Sequence, residues 1–164
     1  MFAARHKSRR GFSLLELVIV VVIIGIIAAI AIPRMSRGTA GAADSAVAGD
    51  LAVLRNAIDL YAAEHDGKLP ILSKISNQLI LYSDGSNSSD PVSSKDATHQ
   101  YGPYLRAIPS LPTGANKGQT GFTATLPLGS DNTAGWYYDA ATGTVKPNTV
   151  DSEVDATGKK YSDY

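Results

Sequence analysis

The sequence predicts an α+β fold, in which a long amino-terminal helix is packed by its second half on a small antiparallel β-sheet. Three observations lead to this prediction: an apolar run over residues 14–32, a helical repeat of apolar residues from Val47 to Tyr61, and short strand-like segments after residue 119. The 164 residues are enough for one domain with some length left over. One hydrophobic core is therefore expected.

The first part of the chain combines a basic start with a long apolar run. Residues 14–32 carry one charge, Glu16, and about 20 apolar residues cross the ~30 Å hydrocarbon layer as a helix. Basic residues lie among the first ten positions: Arg5, Lys7, Arg9 and Arg10. The positive-inside rule places this end in the cytoplasm. We predict a single membrane-spanning helix over residues 12–33, with the following domain in the periplasm or outside the cell.

An ordinary secretory signal is the competing interpretation of the same segment. Ala29-Ile30-Ala31 fits the small-x-small pattern of a signal cleavage site. However, the apolar run is longer than the usual ~7 to 15 residues, and an acid has no purpose in a discarded segment. A charge at the bilayer centre costs about 3 kcal/mol, and less near the interface. Glu16 therefore needs a function or a partner.

The residues that open the apolar run are Arg10-Gly11-Phe12-Ser13-Leu14-Leu15-Glu16. This pattern resembles the processing site of the type IV pilin and type II secretion pseudopilin superfamily. The resemblance implies that a prepilin peptidase removes the basic leader, residues 1–11, by cutting after Gly11. It also implies N-methylation of Phe12, and it makes Pro33 the helix-kinking proline of the family.

The resemblance also gives Glu16 a function in assembly. Cleavage would create a positive amine at Phe12, and the glutamate of a neighbouring helix would neutralise it when subunits stack. Two charges that are unfavourable in lipid would become a pair. The alternative is that Glu16 is an interfacial residue that reaches towards the lipid headgroups.

An amphipathic continuation of the helix is predicted over residues 34–65. Its first stretch, residues 34–44, is small and polar and predicts a weakened helix next to the proline. Beyond it, apolar residues recur at spacings of four and three, at Val47, Leu51, Leu54, Ile58 and Tyr61. The pair Asp66-Gly67 and then Pro70 predict the helix end near His65.

Residues 66–164 are predicted to form the globular domain. A polar loop is expected over residues 83–94, because this stretch has too few apolar residues to pack. Strand signals follow at residues 120–126, 135–139 and 144–146. A turn at residues 139–143 joins the last two into a hairpin.

Two segments of the domain resemble the major pseudopilins of type II secretion. They are LAVLRNAIDLYAAEHDGKLP at residues 51–70 and GWYYDAATGTVKPN at residues 135–148. The resemblance implies a structural subunit of a filament whose partners are copies of itself, minor pseudopilins and an inner-membrane assembly platform. A type IV major pilin for adhesion, motility or DNA uptake is the first alternative. A membrane-anchored periplasmic binding domain that does not polymerise is the second.

Calcium is the one cofactor that the resemblance suggests, because major pseudopilins commonly hold a calcium ion near their sheet. Asp131 and Asp139 are the candidate ligands. A second acidic group, Asp151, Glu153 and Asp155, has the alternating spacing of an EF-hand loop. That motif fails because Ala156 stands at its glycine position and Ser162 at its closing glutamate. We interpret this group as solvated.

Composition argues against an enzyme and against nucleic acid as the main partner. The chain contains no cysteine, and no motif joins His6, His65 or His99 to a nucleophile or to spaced metal ligands. Without the leader, 11 basic side chains remain against 15 acidic ones. An excess of acids gives no electrostatic footprint for a phosphate backbone.

Overall fold

The computed structural model describes residues 12–126 and 128–164, with side chains described everywhere in these ranges except at residues 31–40. The predicted leader and Gly11 lie outside the described residues. The chain divides between Thr39 and Ala40 into two compact units. The predicted α+β class is confirmed: a long helix is followed by a short helix and a small sheet.

Helix α1 runs from Leu14 to Glu64 and includes the backbone of the small, polar stretch at residues 34–44. The kink expected at Pro33 stays a prediction, because that side chain is outside the described set. After the helix, the amide of Gly67 donates to the carbonyl of Ala62 at 2.8 Å. Asp66 and Gly67 both have left-handed backbone conformations, with φ of 55° and 76°. A glycine tolerates this conformation without steric cost, which explains the stop.

The apolar stripe predicted on the second half of α1 is confirmed as the centre of the core. Its side chains are at most 1% exposed: Val47, Leu51, Leu54, Ile58 and Tyr61. They belong to one cluster with sheet residues Trp136, Tyr138 and Val145. Aromatic side chains bury ~150–250 Å² each and dominate such a core. The stripe therefore joins α1 to the sheet within the second unit.

The sheet has three strands in the order β1-β2-β3: β1 Gly121–Thr123, β2 Ala134–Asp139 and β3 Thr144–Pro147. The predicted hairpin is confirmed, since β2 and β3 pair antiparallel with Trp136 opposite Pro147. Trp136 and Tyr138 point into the core and reach polar partners outside the sheet. The indole of Trp136 donates to the carbonyl of Pro109 at 2.8 Å, and the hydroxyl of Tyr138 donates to that of Pro70 at 3.0 Å.

The prediction of an antiparallel sheet is wrong for one pair, because β1 runs parallel to β2 and the sheet is mixed. Strand-forming residues carry no information about strand direction. A parallel pair needs a long connection, and the connection here is fastened by Asn148. Its side-chain oxygen accepts from the amide of Gly129 at 2.6 Å, and its amide donates to the carbonyl of Ala134 at 2.8 Å. These contacts hold the end of the connection beside the start of β1, where β2 begins.

Two short elements were not predicted: helix α2, Ile75–Ile80, and a single 3₁₀ turn, Tyr161–Asp163. Six residues are too few to establish a helical period, and Lys74 at the start of α2 makes no side-chain capping bond. The strand expected over residues 120–126 is shorter than predicted and comprises Gly121–Thr123.

The loop over residues 83–94 is packed, contrary to expectation, and polar contacts hold it. The side-chain oxygen of Asn87 accepts from the hydroxyl of Tyr61 at 2.8 Å and from the amide of Gln78 at 3.1 Å. Its amide donates to the carbonyl of Leu69 at 2.9 Å. Hydrogen bonds made at buried sites replace the apolar contacts that the loop lacks. Composition alone therefore underestimated how firmly this segment is held.

Candidate functional site

The amino-terminal part of α1 exposes apolar side chains all the way round. Between residues 14 and 30 the large aliphatic side chains are 46–81% exposed, and Phe12 before them is 79% exposed. A helix that is apolar on every side is normally buried in lipid or among other helices. A continuous exposed surface of apolar side chains marks an interaction surface.

Among the described residues, no helix has both the length and the apolar character that crossing a membrane requires.

Glu16 has a local partner at the start of α1. The amide of Ser13 donates to Oε2 of Glu16 at 3.4 Å, and the carbonyl of Ser13 accepts from the amide of Leu17 at 3.2 Å. This is one half of a capping box, in which a glutamate reaches back to the residue that opens the helix. The Ser-x-x-Glu pattern could have been recognised in the sequence. Glu16 therefore stabilises the start of α1 in addition to any function between subunits.

The structure brings two of the predicted amino-terminal site residues to one place. Phe12 and Glu16 both lie at the exposed start of α1. Their side chains are accessible to a second molecule, as pairing between subunits would require. Gly11 is outside the described residues, so cleavage and methylation stay predictions, as does the kink at Pro33.

The two candidate calcium ligands are separated by strand β2. Asp131 precedes the strand and Asp139 ends it. A six-residue strand spans about 17 Å at ~3.3 Å per residue. Calcium requires its oxygen ligands at ~2.3–2.6 Å. The length of β2 therefore separates the two candidate ligands.

Each of these aspartates instead closes a turn with its own neighbours. Asp131 accepts from the hydroxyl of Thr133 at 2.6 Å and from its amide at 2.9 Å, and these bonds lower the pKa of Asp131. Asp139 accepts from the amide of Ala141 at 2.9 Å and from the hydroxyl of Thr142 at 2.8 Å, which lowers the pKa of Asp139. These residues do not fit a shared calcium site.

The acidic residues near the end of the chain also have separate partners. Asp151 pairs with Lys160 at 2.7 Å, and Glu153 accepts from the amides of Ala115 and Val150 at 2.6 and 2.9 Å. Within the ranges that the structure describes, no group of three or more His, Cys, Asp or Glu side chains is arranged to hold a metal ion.

One histidine meets a serine, a pairing that the sequence did not predict. Nε2 of His65 lies 2.9 Å from the hydroxyl of Ser83. A nucleophile must be reachable by its substrate, whereas His65 is 0% and Ser83 3% exposed. Nδ1 of His65 faces a main-chain carbonyl, that of Tyr61, at 2.8 Å. The pair is a buried structural contact and offers no access for a substrate.

Comparison with known proteins identifies the amino-terminal segment. A family model described as the prokaryotic N-terminal methylation motif matches residues 6–32. The matched range contains Gly11, Phe12 and Glu16. No curated protein and no solved structure matches the chain. The motif is a substrate signal for prepilin peptidase, and it supports a structural subunit of the type IV pilin and pseudopilin class.

Proposed function

We propose that this protein is the major pseudopilin of a type II secretion system, a subunit whose filament drives protein export. The observation that carries the proposal is the continuity of α1. The methylation motif at residues 6–32 contains the first part of this helix, which is apolar on every side. The same helix then supplies the central stripe of the domain core. One element thus joins a processing signal, an assembly surface and a folded domain.

The exposed apolar half of α1 needs a non-aqueous environment before and after assembly. Burying one Val, Leu or Ile side chain stabilises by ~1.5–3 kcal/mol, and more than ten such side chains stand exposed between residues 14 and 30. We propose that residues 12–33 span the inner membrane first, with the basic leader in the cytoplasm and the domain in the periplasm. On assembly the neighbouring helices would replace the lipid.

Processing and assembly would then use the charges at the start of α1. Prepilin peptidase would cut after Gly11 and methylate the amine of Phe12. The carboxylate of Glu16 would pair with the Phe12 amine of a neighbouring subunit, because an unpaired charge in an apolar core costs several kcal/mol. The inner-membrane assembly platform and minor pseudopilins are the further partners of such a subunit.

Two resemblances in the domain favour the pseudopilin over a type IV major pilin. They cover residues 51–70, at the end of α1, and residues 135–148, which form the β2–β3 hairpin. The rival proposals are a pilin that forms surface fibres and an anchored binding domain that does not polymerise. Deleting the gene in its host distinguishes the pseudopilin from the pilin. Loss of a secreted protein from the medium supports the pseudopilin, and loss of surface fibres with normal secretion supports the pilin.

Two substitutions at Glu16 test the assembly step. Glu16→Gln keeps an oxygen that can accept from the amide of Ser13 but removes the charge, whereas Glu16→Val removes both. Each variant is expressed with the assembly machinery, its processing and membrane level are measured, and sheared filaments are imaged. We expect normal insertion and no filaments from either variant, because the Phe12 amine would be buried without a counter-charge.

Comparison of the two variants distinguishes the capping function of Glu16 from its charge pairing between subunits. Filaments from Glu16→Gln but not from Glu16→Val would assign the defect to the helix cap. Normal filaments from both variants would remove the pairing mechanism, whereas no filaments from the unchanged protein would favour the anchored domain.

A further inference from the structure

The segment after the sheet returns to α1 and contacts it near the start of the second compact unit. We call residues 150–164 the strap. Inside the strap, Val154 and Lys160 form an antiparallel bridge, and the amide of Asp155 donates to the carbonyl of Lys159 at 2.8 Å. Lys160 also pairs with Asp151 at 2.7 Å. The strap is therefore a compact turn with bonds of its own.

The strap contacts α1 at Asp44. The hydroxyl of Tyr161 donates to Oδ1 of this carboxylate, and the amide of Ala156 donates to Oδ2 at 3.0 Å. Both donors come from residues more than 110 positions later in the chain. A charged acceptor with two donors forms strong hydrogen bonds. Asp44 is thus held by two independent points of the strap.

The position of Asp44 along α1 gives this contact its importance. The second compact unit begins at Ala40, and Val47 is the first α1 side chain of the core cluster. Asp44 lies between them and is half-buried. Between Ala40 and Val47 the apolar core therefore contributes little, and polar contacts must hold the helix to the domain.

The far end of the strap is anchored more deeply. The ring of Tyr161 is 5% exposed and belongs to the core cluster. Further along, a guanidinium nitrogen of Arg55 donates to the carbonyl of Tyr164 at 2.6 Å and to that of Val145 at 3.3 Å. Loss of the Asp44 bonds would therefore leave the strap attached through its ring and through Arg55. The bonds to Asp44 form the part of the contact that can open alone.

We propose that the hydrogen bonds between Asp44 and the strap form a clasp. This clasp sets the point along α1 at which the helix becomes part of the stable domain. With the clasp closed, the helical turns from Ala40 to Val47 belong to the stable domain. With it open, those turns can lose their helical hydrogen bonds while the core behind them stays folded. The clasp holds whether or not the protein forms a filament, so it does not depend on the proposed function.

Two substitutions open the clasp without emptying the core. Asp44→Asn presents an amide group to one of the two donors, and Tyr161→Phe keeps the buried ring but removes the hydroxyl. Asp59→Asn, an exposed carboxylate further along the same helix, is the matched control. Hydrogen exchange of the full chain in detergent micelles is followed by mass spectrometry, with peptides covering residues 41–48 and 51–61.

We expect exchange over residues 41–48 to become roughly tenfold faster in Asp44→Asn and in Tyr161→Phe. Residues 51–61 should keep the exchange rate of the unchanged protein, as should the control over both segments. The double variant should exchange at least as fast as the faster single variant, because Tyr161→Phe alone leaves the bond from the amide of Ala156 to Asp44 in place. Unchanged exchange over residues 41–48 would overturn the proposal. An equal increase over both segments would also overturn it, because the contact would then serve only global stability.

Discussion

The imidazole of His65 stacks on the ring of Tyr61, with centroids 3.8 Å apart and planes within 8°. Nδ1 of His65 lies 2.8 Å from the carbonyl of Tyr61, and Nε2 lies 2.9 Å from the hydroxyl of Ser83. A carbonyl can only accept, so Nδ1 carries a hydrogen, and in the neutral ring Nε2 accepts from Ser83. The contact fastens the end of α1 to the start of the 83–94 loop.

Removing this contact should destabilise the domain. We expect His65→Ala to lower the free energy of unfolding by about 3 kcal/mol, since a buried ring and two hydrogen bonds are lost. Ser83→Ala should cost about 1–2 kcal/mol, because Nε2 is left buried without a donor. Urea unfolding of the full chain in detergent, followed by circular dichroism, measures both, with exposed Lys95→Ala as the control. A loss below ~0.5 kcal/mol for His65→Ala would contradict a structural function of the contact.

Processing after Gly11 is the second prediction. A cut at this position leaves the apolar helix attached to the domain, whereas a signal-type cut after Ala31 would release the domain. Mass spectrometry of the protein from the membrane fraction should show a chain that begins with methylated Phe12. A chain that begins at Ile32, or a soluble mature protein, would refute the prepilin interpretation. Gly11→Leu is expected to block the cut and leave the full-length chain in the membrane.

The third prediction concerns calcium, and the positions of Asp131 and Asp139 decide which result we expect. A ligand that binds only the folded state raises its melting temperature by mass action. Because Asp131 and Asp139 close separate turns at opposite ends of β2, we expect the same melting temperature in millimolar calcium and in chelator. A higher value in calcium would show that the domain does bind the ion. If Asp131→Asn but not Asp139→Asn abolished that increase, the ion would be assigned to the loop before β2.

Loss of stability in acid is the fourth prediction. Hydrogen bonds from the hydroxyls of Tyr164 and Thr157 hold the pKa of the Asp155 carboxyl well below its usual range. A carboxyl with a lowered pKa in the folded chain favours folding while it is ionised. The stabilisation is complete at pH values above the pKa that Asp155 has in the unfolded chain. It is lost as the pH falls through the pKa that Asp155 has in the folded chain. Melting temperatures should therefore decrease from about pH 4 towards pH 2.

The variant Asp155→Asn isolates that carboxyl. Its melting temperature should decrease less steeply over the same pH range, whereas Asp59→Asn should follow the unchanged protein. An unaltered slope in Asp155→Asn would show that other carboxyls account for the acid sensitivity.

The elements that the sequence predicted well are those whose signal is local. The stripe from Val47 to Tyr61 repeats with the helical period, so each of its residues indicates the same buried face. The β2–β3 hairpin was predictable because its turn lies between two adjacent strand signals. Helix α2 was missed because six residues contain less than two turns of periodicity.

The candidate site residues likewise divide into those with a local sequence signal and those without one. The motif around Gly11 and Glu16 is contiguous in the sequence, and both residues lie within residues 6–32, the range that the family model matches. Asp131 and Asp139 looked like partners because both flank one strand, but the length of that strand keeps them apart. The capping function of Glu16 was also local and was available from the Ser-x-x-Glu pattern.

By itself the sequence determined the processing signal, the apolar helix and the buried stripe, because each depends on residues that are neighbours along the chain. Tertiary structure decided the parallel direction of β1, the fastening of the loop by Asn87 and the contact of the strap with Asp44. In each case the deciding hydrogen bonds join residues far apart in sequence. Such bonds form only after the core has brought those residues together, so no local pattern records them.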